Sequence, residues 1–126
     1  MMRALTVLLA LSCGVAFADQ TASAPKDGAR VASPVKVVFG LKGMGVAPAG
    51  IKFDNTGHHH LLVDTAVPSD LTQPLPVTDN IRHFGKGQTE TTLDLPPGKH
   101  TLQLLFADAT HTPFTPNVVS RRSPSP

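Results

Sequence analysis

Alternation of apolar and polar residues recurs in short stretches along the chain and predicts a protein made of β-strands. Residues 35–39, 89–95 and 99–107 fit a period of two, in which every second side chain lies on the same face of a strand. Residues 58–64 follow a glycine turn and are predicted as another strand, and residues 118–120 begin a last one. A Pro-Pro-Gly turn follows residue 95, so we expect 89–95 and 99–107 to form a hairpin with one buried face.

Glycine and proline separate these segments. Residues 43–50 contain too much of both for a helix or a regular strand, and residues 68–80, with three prolines, predict a surface crossover or lid. After residue 18 the sequence has no sustained helical periodicity, so we expect a helix content near zero. Short strands at intervals of about ten residues, with turns between them, favour an all-β fold, an antiparallel β-sandwich.

The N-terminal residues predict export. Arg3, the apolar run 5–11 and the small-x-small sequence at 16–18 are typical of a signal peptide over residues 1–18, a helix outside the fold. Cleavage before Cys13 with lipidation is the alternative, but the residues before Cys13 fit such a site less well. No later segment approaches the roughly 20 apolar residues that cross a bilayer. We therefore expect a periplasmic or secreted protein with no transmembrane segment after the signal is removed.

The exported part is long enough for one domain. We expect a flexible leader at 19–26, the β-sandwich at 27–120 and a disordered tail at 121–126. Removal of Arg3 leaves ten Lys and Arg against nine Asp and Glu. This near balance, together with the absence of Trp and Tyr, is evidence against a nucleic-acid partner, because single-strand binding needs basic grooves with stacking aromatics. The lack of these aromatics also disfavours carbohydrate binding.

Enzyme motifs are missing from the exported sequence. It contains no G-x-S-x-G, no H-E-x-x-H, no phosphate loop and no cysteine nucleophile. Residues 85–89 look like a glycine-rich loop, but they precede a predicted strand, so no helix N-terminus follows to bind phosphate. We expect a protein that is not an enzyme. A histidine-only metal centre with redox or hydrolytic chemistry is the less favoured alternative.

Three consecutive histidines, His58, His59 and His60, are the strongest chemical signal in the chain. Residues two apart on a strand point the same way, about 6.6 Å apart along it, so His58 and His60 can both direct a ring nitrogen to one ion. Zinc and copper sites need three or four nitrogen or oxygen ligands. Further candidate ligands are predicted on loops: His83, His111, Asp108 and, for Cu(I), Met44.

Structural interpretations compete with each of these assignments. Hydrogen bonds that fix neighbouring loops explain His58 and His60 equally well, and Met44 is better explained by loop packing. His59 points to the opposite face of the strand and needs a buried hydrogen-bond acceptor. His100 shares a face with Leu102, Leu104 and Phe106, which favours a hydrogen-bonded core histidine. If Leu62 faces the core, His58 and His60 do too, and the sequence leaves this choice open.

Six motifs together point to one family. They are Pro-Lys-Asp-Gly at 25–28, Gly-Met-Gly-Val-Ala-Pro-Ala-Gly at 43–50, Asn-Thr-Gly-His-His-His-Leu-Leu-Val-Asp at 55–64, His-Phe-Gly-Lys-Gly-Gln-Thr-Glu at 83–90, Leu-Pro-Pro-Gly-Lys-His-Thr-Leu-Gln-Leu at 95–104 and Asp-Ala-Thr-His at 108–111. The combination covers nearly all of residues 25–120 and resembles a family of small secreted bacterial domains catalogued as domain of unknown function 4399. The resemblance implies an immunoglobulin-like β-sandwich in the periplasm or outside the cell, with no established activity.

The chain departs from this family's pattern at two places. Phe114 stands where the family usually has a second histidine, which weakens a metal site that uses that loop. Residues 121–126 stand where the family usually closes with an alternating apolar strand, which predicts an uncovered sheet edge and a marginally stable or edge-pairing domain.

The favoured hypothesis is an exported, non-catalytic domain that binds copper or zinc through a histidine cluster. The predicted metal ligands are His58, His60, His83 and His111. The alternative is an immunoglobulin-like structural or protein-interaction module that holds no metal, in which the histidines organise the loops around an unidentified protein partner.

Overall fold

The computed structural model describes residues 19–23, 33–120 and 122–125, and the regular elements in these ranges are all strands. The all-β prediction is therefore confirmed for this part of the chain. Two sheets pack face to face as a β-sandwich, while the immunoglobulin-like assignment stays a prediction. The strands are β1 (Asp19–Ser23), β2 (Val35–Lys42), β3 (Gly45–Val46), β4 (Thr56–Val63), β5 (Ile81–Phe84), β6 (Glu90–Leu93), β7 (His100–Ala107) and β8 (Ser123–Ser125).

Strand β4 is central to the larger sheet. Strand β7 pairs antiparallel with β4 along one edge. On the other edge of β4, β3 pairs in parallel with residues 56–57 and β5 pairs antiparallel with residues 59–62. Strand β8 extends the sheet beyond β7. The smaller sheet has the order β1-β2-β6, with both pairings antiparallel.

The main core lies between the two sheets. Every second residue of β2 and β4 points into it, as the period-two pattern requires. Val37 and Leu61 are fully buried there, and the ring of Phe39 packs edge-on against Phe84. The buried members are Ala22, Val35, Val37, Phe39, Leu61, Val63, Phe84, Leu93, Leu102 and Leu104.

A second apolar cluster covers the opposite face of the larger sheet. Its buried members are Leu62, Leu75, Ile81, Leu105 and Ala107. Leu75 comes from the proline-rich loop between β4 and β5, which confirms that this loop covers the sheet as a lid. Both faces of β4 are consequently buried, which explains why its sequence does not alternate between apolar and polar residues.

The predicted hairpin of residues 89–95 and 99–107 is wrong. Strand β6 pairs with β2 in the smaller sheet, whereas β7 pairs with β4 in the larger one. The Pro-Pro-Gly connection therefore crosses between sheets. Leu93 and Leu102 still face the same core, but from opposite sides of it. An alternating pattern shows which face of a strand is buried and does not show whether two strands pair or pack face to face.

Both predicted flexible ends contain strand residues. Asp19–Ser23 falls in the predicted leader but forms β1, which pairs with residues 38–42 of β2 and places Ala22 in the core at 4% exposure. Ser123–Ser125 falls in the predicted tail but pairs as β8 with residues 100–102. Main-chain groups make these pairings, so an apolar sequence is not required. An isolated bridge from Val119 to Leu105 covers a further part of the β7 edge, contrary to the predicted uncovered edge.

The predicted signal peptide, residues 1–18, lies outside the described residues, as do residues 24–32. Among the residues that the structure describes, no helix combines the length and apolar character that crossing a membrane requires.

Candidate metal centre

The three consecutive histidines of β4 divide between its two faces. His59 points into the main core, where its ring centroid lies 5.0 Å from those of both Phe39 and Phe106. His58 and His60 share the other face with Leu62, which belongs to the second apolar cluster. All three histidines are fully buried. The question that the sequence left open is thus answered: the pair lies beneath the loops on the outer side of the larger sheet, not between the sheets.

A glycine allows β4 to begin so close to β7. A Cβ atom at Gly57 would collide with the carbonyl oxygen of Ala107 and with the rings of Phe106 and Phe114. Because glycine has no Cβ, the two strands can pair from the first histidine, in the register His58 to Ala107.

His83 lies on β5 and not on a loop as predicted. It pairs directly with His60 across the two strands, and side chains at directly opposed positions lie on the same face of a sheet. The two ring centroids are 5.2 Å apart. A Cβ atom at Gly85 would collide with the His83 ring, so the glycine leaves the space that this ring occupies. The sequence analysis did not identify the positioning role of Gly85.

His111 lies on the loop after β7, as predicted, and its backbone has a φ of 66°, in the left-handed region. The loop is closed by main-chain bonds from the Asp108 amide to the Thr112 carbonyl, 2.9 Å, and from the His111 amide to the Asp108 carbonyl, 3.0 Å. The carbonyl of His111 accepts a bond from the Leu75 amide at 2.8 Å, which joins this loop to the lid. Together these bonds direct the His111 ring towards β4.

The four predicted metal ligands form one group, here called the histidine cluster: His58, His60, His83 and His111. Each offers a ring nitrogen, and these nitrogens all lie within 4.8 Å of one another. Two nitrogens that each lie roughly 2.1 Å from one ion are at most about 4.2 Å apart. Shifts of less than an ångström therefore bring the four nitrogens to ligand distance.

Several ring nitrogens of the cluster are buried without a hydrogen-bond partner among the described residues. They are Nδ1 of His58, both nitrogens of His60 and Nε2 of His83. An unpaired buried polar group destabilises a protein by about 1–3 kcal/mol. Buried polar groups usually have a partner, so these nitrogens are free to bind a ligand of suitable size.

Comparison with known proteins places the chain in a family. A family model described as Domain of unknown function (DUF4399) matches residues 37–123. The chain belongs to the DUF4399 family. The match includes the whole histidine cluster and thus confirms the resemblance that the sequence motifs indicated. Comparisons with curated proteins and with solved structures gave no significant match.

Burial favours the neutral form of His58, His60 and His83 in this DUF4399 member. Desolvation, followed by repulsion from neighbouring imidazoles, lowers the pKa of His58 to about 4 and that of His60 to about 3. Burial and the nearby His111 also lower the pKa of His83. At neutral pH these rings therefore present free lone pairs, which is the form that binds a metal ion.

The remaining candidates lie outside the histidine cluster. Oδ1 of Asp108 accepts bonds from the amides of Thr110 and Thr112 at 2.9 and 3.0 Å and thus supports the loop. Met44 is half-buried in the bend before β3.

His100 is hydrogen-bonded, as the structural interpretation predicted, but at a half-buried strand end instead of in the core. Its Nδ1 lies 2.7 Å from Oδ2 of Asp64, and its Nε2 lies 2.6 Å from the carbonyl oxygen of Pro96. These two acceptors, the carboxylate first, raise the pKa of His100.

Proposed function

We propose that this protein is an exported, non-catalytic β-sandwich that binds a transition-metal ion, copper or zinc, through the histidine cluster. One observation carries the proposal: four imidazoles from two strands and a loop have ring nitrogens within 4.8 Å of one another. His58 and His60 lie two residues apart on one strand, whereas the fold brings His83 and His111 to them from distant parts of the chain.

The donor set supports copper or zinc. Neutral imidazole suits both ions, and four nitrogen donors match tetrahedral zinc as well as a tetragonal Cu(II) site. All four histidines as ligands would complete a four-coordinate site, without the open position at which catalytic zinc binds water. This closed set supports metal binding in preference to hydrolysis.

Titration calorimetry of the purified protein with Zn(II) and Cu(II) tests the proposal. We expect one ion per chain, and we expect the His58→Ala, His60→Ala double variant to lose the binding. His111→Ala is a second variant, chosen because a half-buried loop residue is easier to remove without unfolding the sandwich. His100→Gln is the control, since it changes a histidine outside the cluster. Equal affinity in the wild type and in both cluster variants would refute the proposal.

A second candidate function is a structural or protein-interaction module that holds no metal. The observation in its favour is the hydrogen bond between Nε2 of His58 and Nδ1 of His111, 3.0 Å, which by itself fixes the loop to β4. Ile51 and Phe53 are 53% and 74% exposed and offer apolar surface to a partner. A partner that binds in the presence of chelator and is lost in Phe53→Ser would support this function over metal binding.

A further inference from the structure

Two connections of the larger sheet meet at His111. One is the loop after β7, which carries His111, and the other is the lid between β4 and β5. A main-chain bond from the Leu75 amide to the His111 carbonyl, 2.8 Å, joins them. The Leu75 side chain is 5% exposed and packs on the sheet within the second apolar cluster. The residue that offers a ring nitrogen to the histidine cluster therefore also holds the lid.

A third segment is bonded to both sides of the cluster. Ala49 and Gly50 are adjacent in the turn after β3, but their amides have different partners. The Ala49 amide donates to the carbonyl of Gly85 at 2.8 Å, and the Gly50 amide donates to that of Ala109 at 3.0 Å. Gly85 directly follows β5, and Ala109 lies in the loop after β7. The segment thus bridges the strand and the loop that supply the two half-buried histidines of the cluster.

The histidine cluster connects these outer segments to β4. The bond between Nε2 of His58 and Nδ1 of His111, 3.0 Å, attaches the loop to the strand. With an ion bound to all four imidazoles, β4, β5 and the loop would be held to one centre. Any opening that separates the four rings must then release the ion. A ligand that binds only the closed form makes such an opening rarer by the factor 1 + [L]/Kd.

We infer that a bound ion acts as a clamp, which fixes the lid, residues 49–50 and the loop after β7 as one unit. This inference rests on the proposed metal-binding function. The His111 ring fixes the loop, and the loop in turn fixes Leu75 and Gly50 through their main-chain bonds. Ala49 is held separately, through the segment that carries His83.

Amide hydrogen exchange, followed residue by residue by NMR with and without Zn(II), tests the clamp. Amides that are released only when the cluster opens should exchange about 100 times more slowly at a free Zn(II) concentration of about 100 times the Kd. We expect this slowing for the amides of Ala49, Gly50 and Leu75. The Thr101 amide is the control, because it bonds to Oδ1 of Asp64 at 2.8 Å, at the end of β7 farthest from the loop. It can open while the cluster stays closed, and its rate should not change.

His111→Asn separates the two sides of the clamp. Asparagine adopts the left-handed φ of 66° at this position more readily than most residues. Three imidazoles are enough for a zinc site with water as the fourth ligand. At about 100 times the Kd of the variant, the Gly50 and Leu75 amides should lose the slowing, whereas the Ala49 amide should retain it.

Three results would overturn the inference in a wild-type protein that titration shows to bind Zn(II). They are unchanged exchange of the Gly50 and Leu75 amides, equal slowing of the Thr101 amide, which would show stabilisation of the whole domain instead of a local clamp, and slowing that persists at Gly50 and Leu75 in His111→Asn. If the variant does not bind Zn(II), the first two results decide. A wild-type protein that binds no Zn(II) would instead refute the proposed function itself.

Discussion

Nε2 of His58 and Nδ1 of His111 lie 3.0 Å apart although 53 residues separate them in the sequence. One of the two nitrogens carries the hydrogen and the other accepts it. An ion that takes both nitrogens as ligands must therefore replace this hydrogen bond. Without an ion the bond holds the His111 loop against β4, and such an ion would exchange it for two metal bonds.

A bound ion should stabilise the fold. At a free Zn(II) concentration of about 100 times the dissociation constant, the free energy of unfolding should rise by about 2.7 kcal/mol, because the ion binds the folded state alone. For a domain of this size that is a rise in Tm of roughly 10 °C or more. Thermal unfolding followed by circular dichroism measures it, and EDTA should reverse the change. The same rise in the His58→Ala, His60→Ala variant would contradict binding at the cluster.

Gly85→Ala should weaken metal binding without touching a ligand. The added Cβ collides with the His83 ring and should force this ring away from the other three, with an expected loss on the order of tenfold in Zn(II) affinity, since about 1.4 kcal/mol corresponds to a factor of ten. Gly45→Ala is the control, because its Cβ would meet only the methyl group of Thr56, at 3.3 Å. Unchanged affinity in Gly85→Ala would show that the position of His83 is not important for binding.

The His100–Asp64 pair should make stability depend on pH. Hydrogen bonding to Asp64 and Pro96 raises the pKa of His100 above 6.5 in the folded state. The contribution of His100 to the free energy of unfolding is therefore complete below pH 6.5 and is lost as the pH rises through the pKa of the folded state. Although burial opposes it, bonding to His100 and Thr101 lowers the pKa of Asp64 below 3.8. The contribution of Asp64 is thus present above pH 3.8 and is lost as the pH falls through its folded value.

His100→Gln removes the titrating ring and keeps a polar side chain. Urea unfolding should show the variant to be less stable than the wild type by about 1 kcal/mol near pH 5.5, a modest difference because the pair is partly exposed. The difference should shrink towards about pH 9, because His100 of the wild type then loses its proton. A difference that grows with pH would have the wrong sign and would show that His100 is neutral in the folded protein.

His59→Ala should separate stability from metal binding. The ring is fully buried between Phe39 and Phe106, so its removal leaves a cavity in the main core and should lower the free energy of unfolding by about 2–4 kcal/mol. Zn(II) affinity of the folded fraction should stay within about threefold of wild type, since this ring lies on the opposite face from the cluster. A large loss of affinity, measured where the variant is still folded, would contradict this separation.

The sequence was sufficient to predict which histidines the fold brings together. The spacing of His58 and His60 on an expected strand, with the few remaining histidines near turns, predicted the group that the structure brings together. The face on which it lies could not be predicted, because both faces of β4 are buried and its apolar residues have no period. The strand that carries His83 was missed because four residues are too short for a pattern. The β6–β7 hairpin was wrong because alternation contains no information on pairing partners.

The two sides of the cluster differ in accessibility. His58 and His60 lie on a strand that is shielded from both directions, while His83 and His111 are half-buried. The β4 amides should therefore be among the slowest in the molecule to exchange with deuterium. The proposed ion would therefore have to enter from the side of His83 and His111, and it would meet these two rings before the pair on β4.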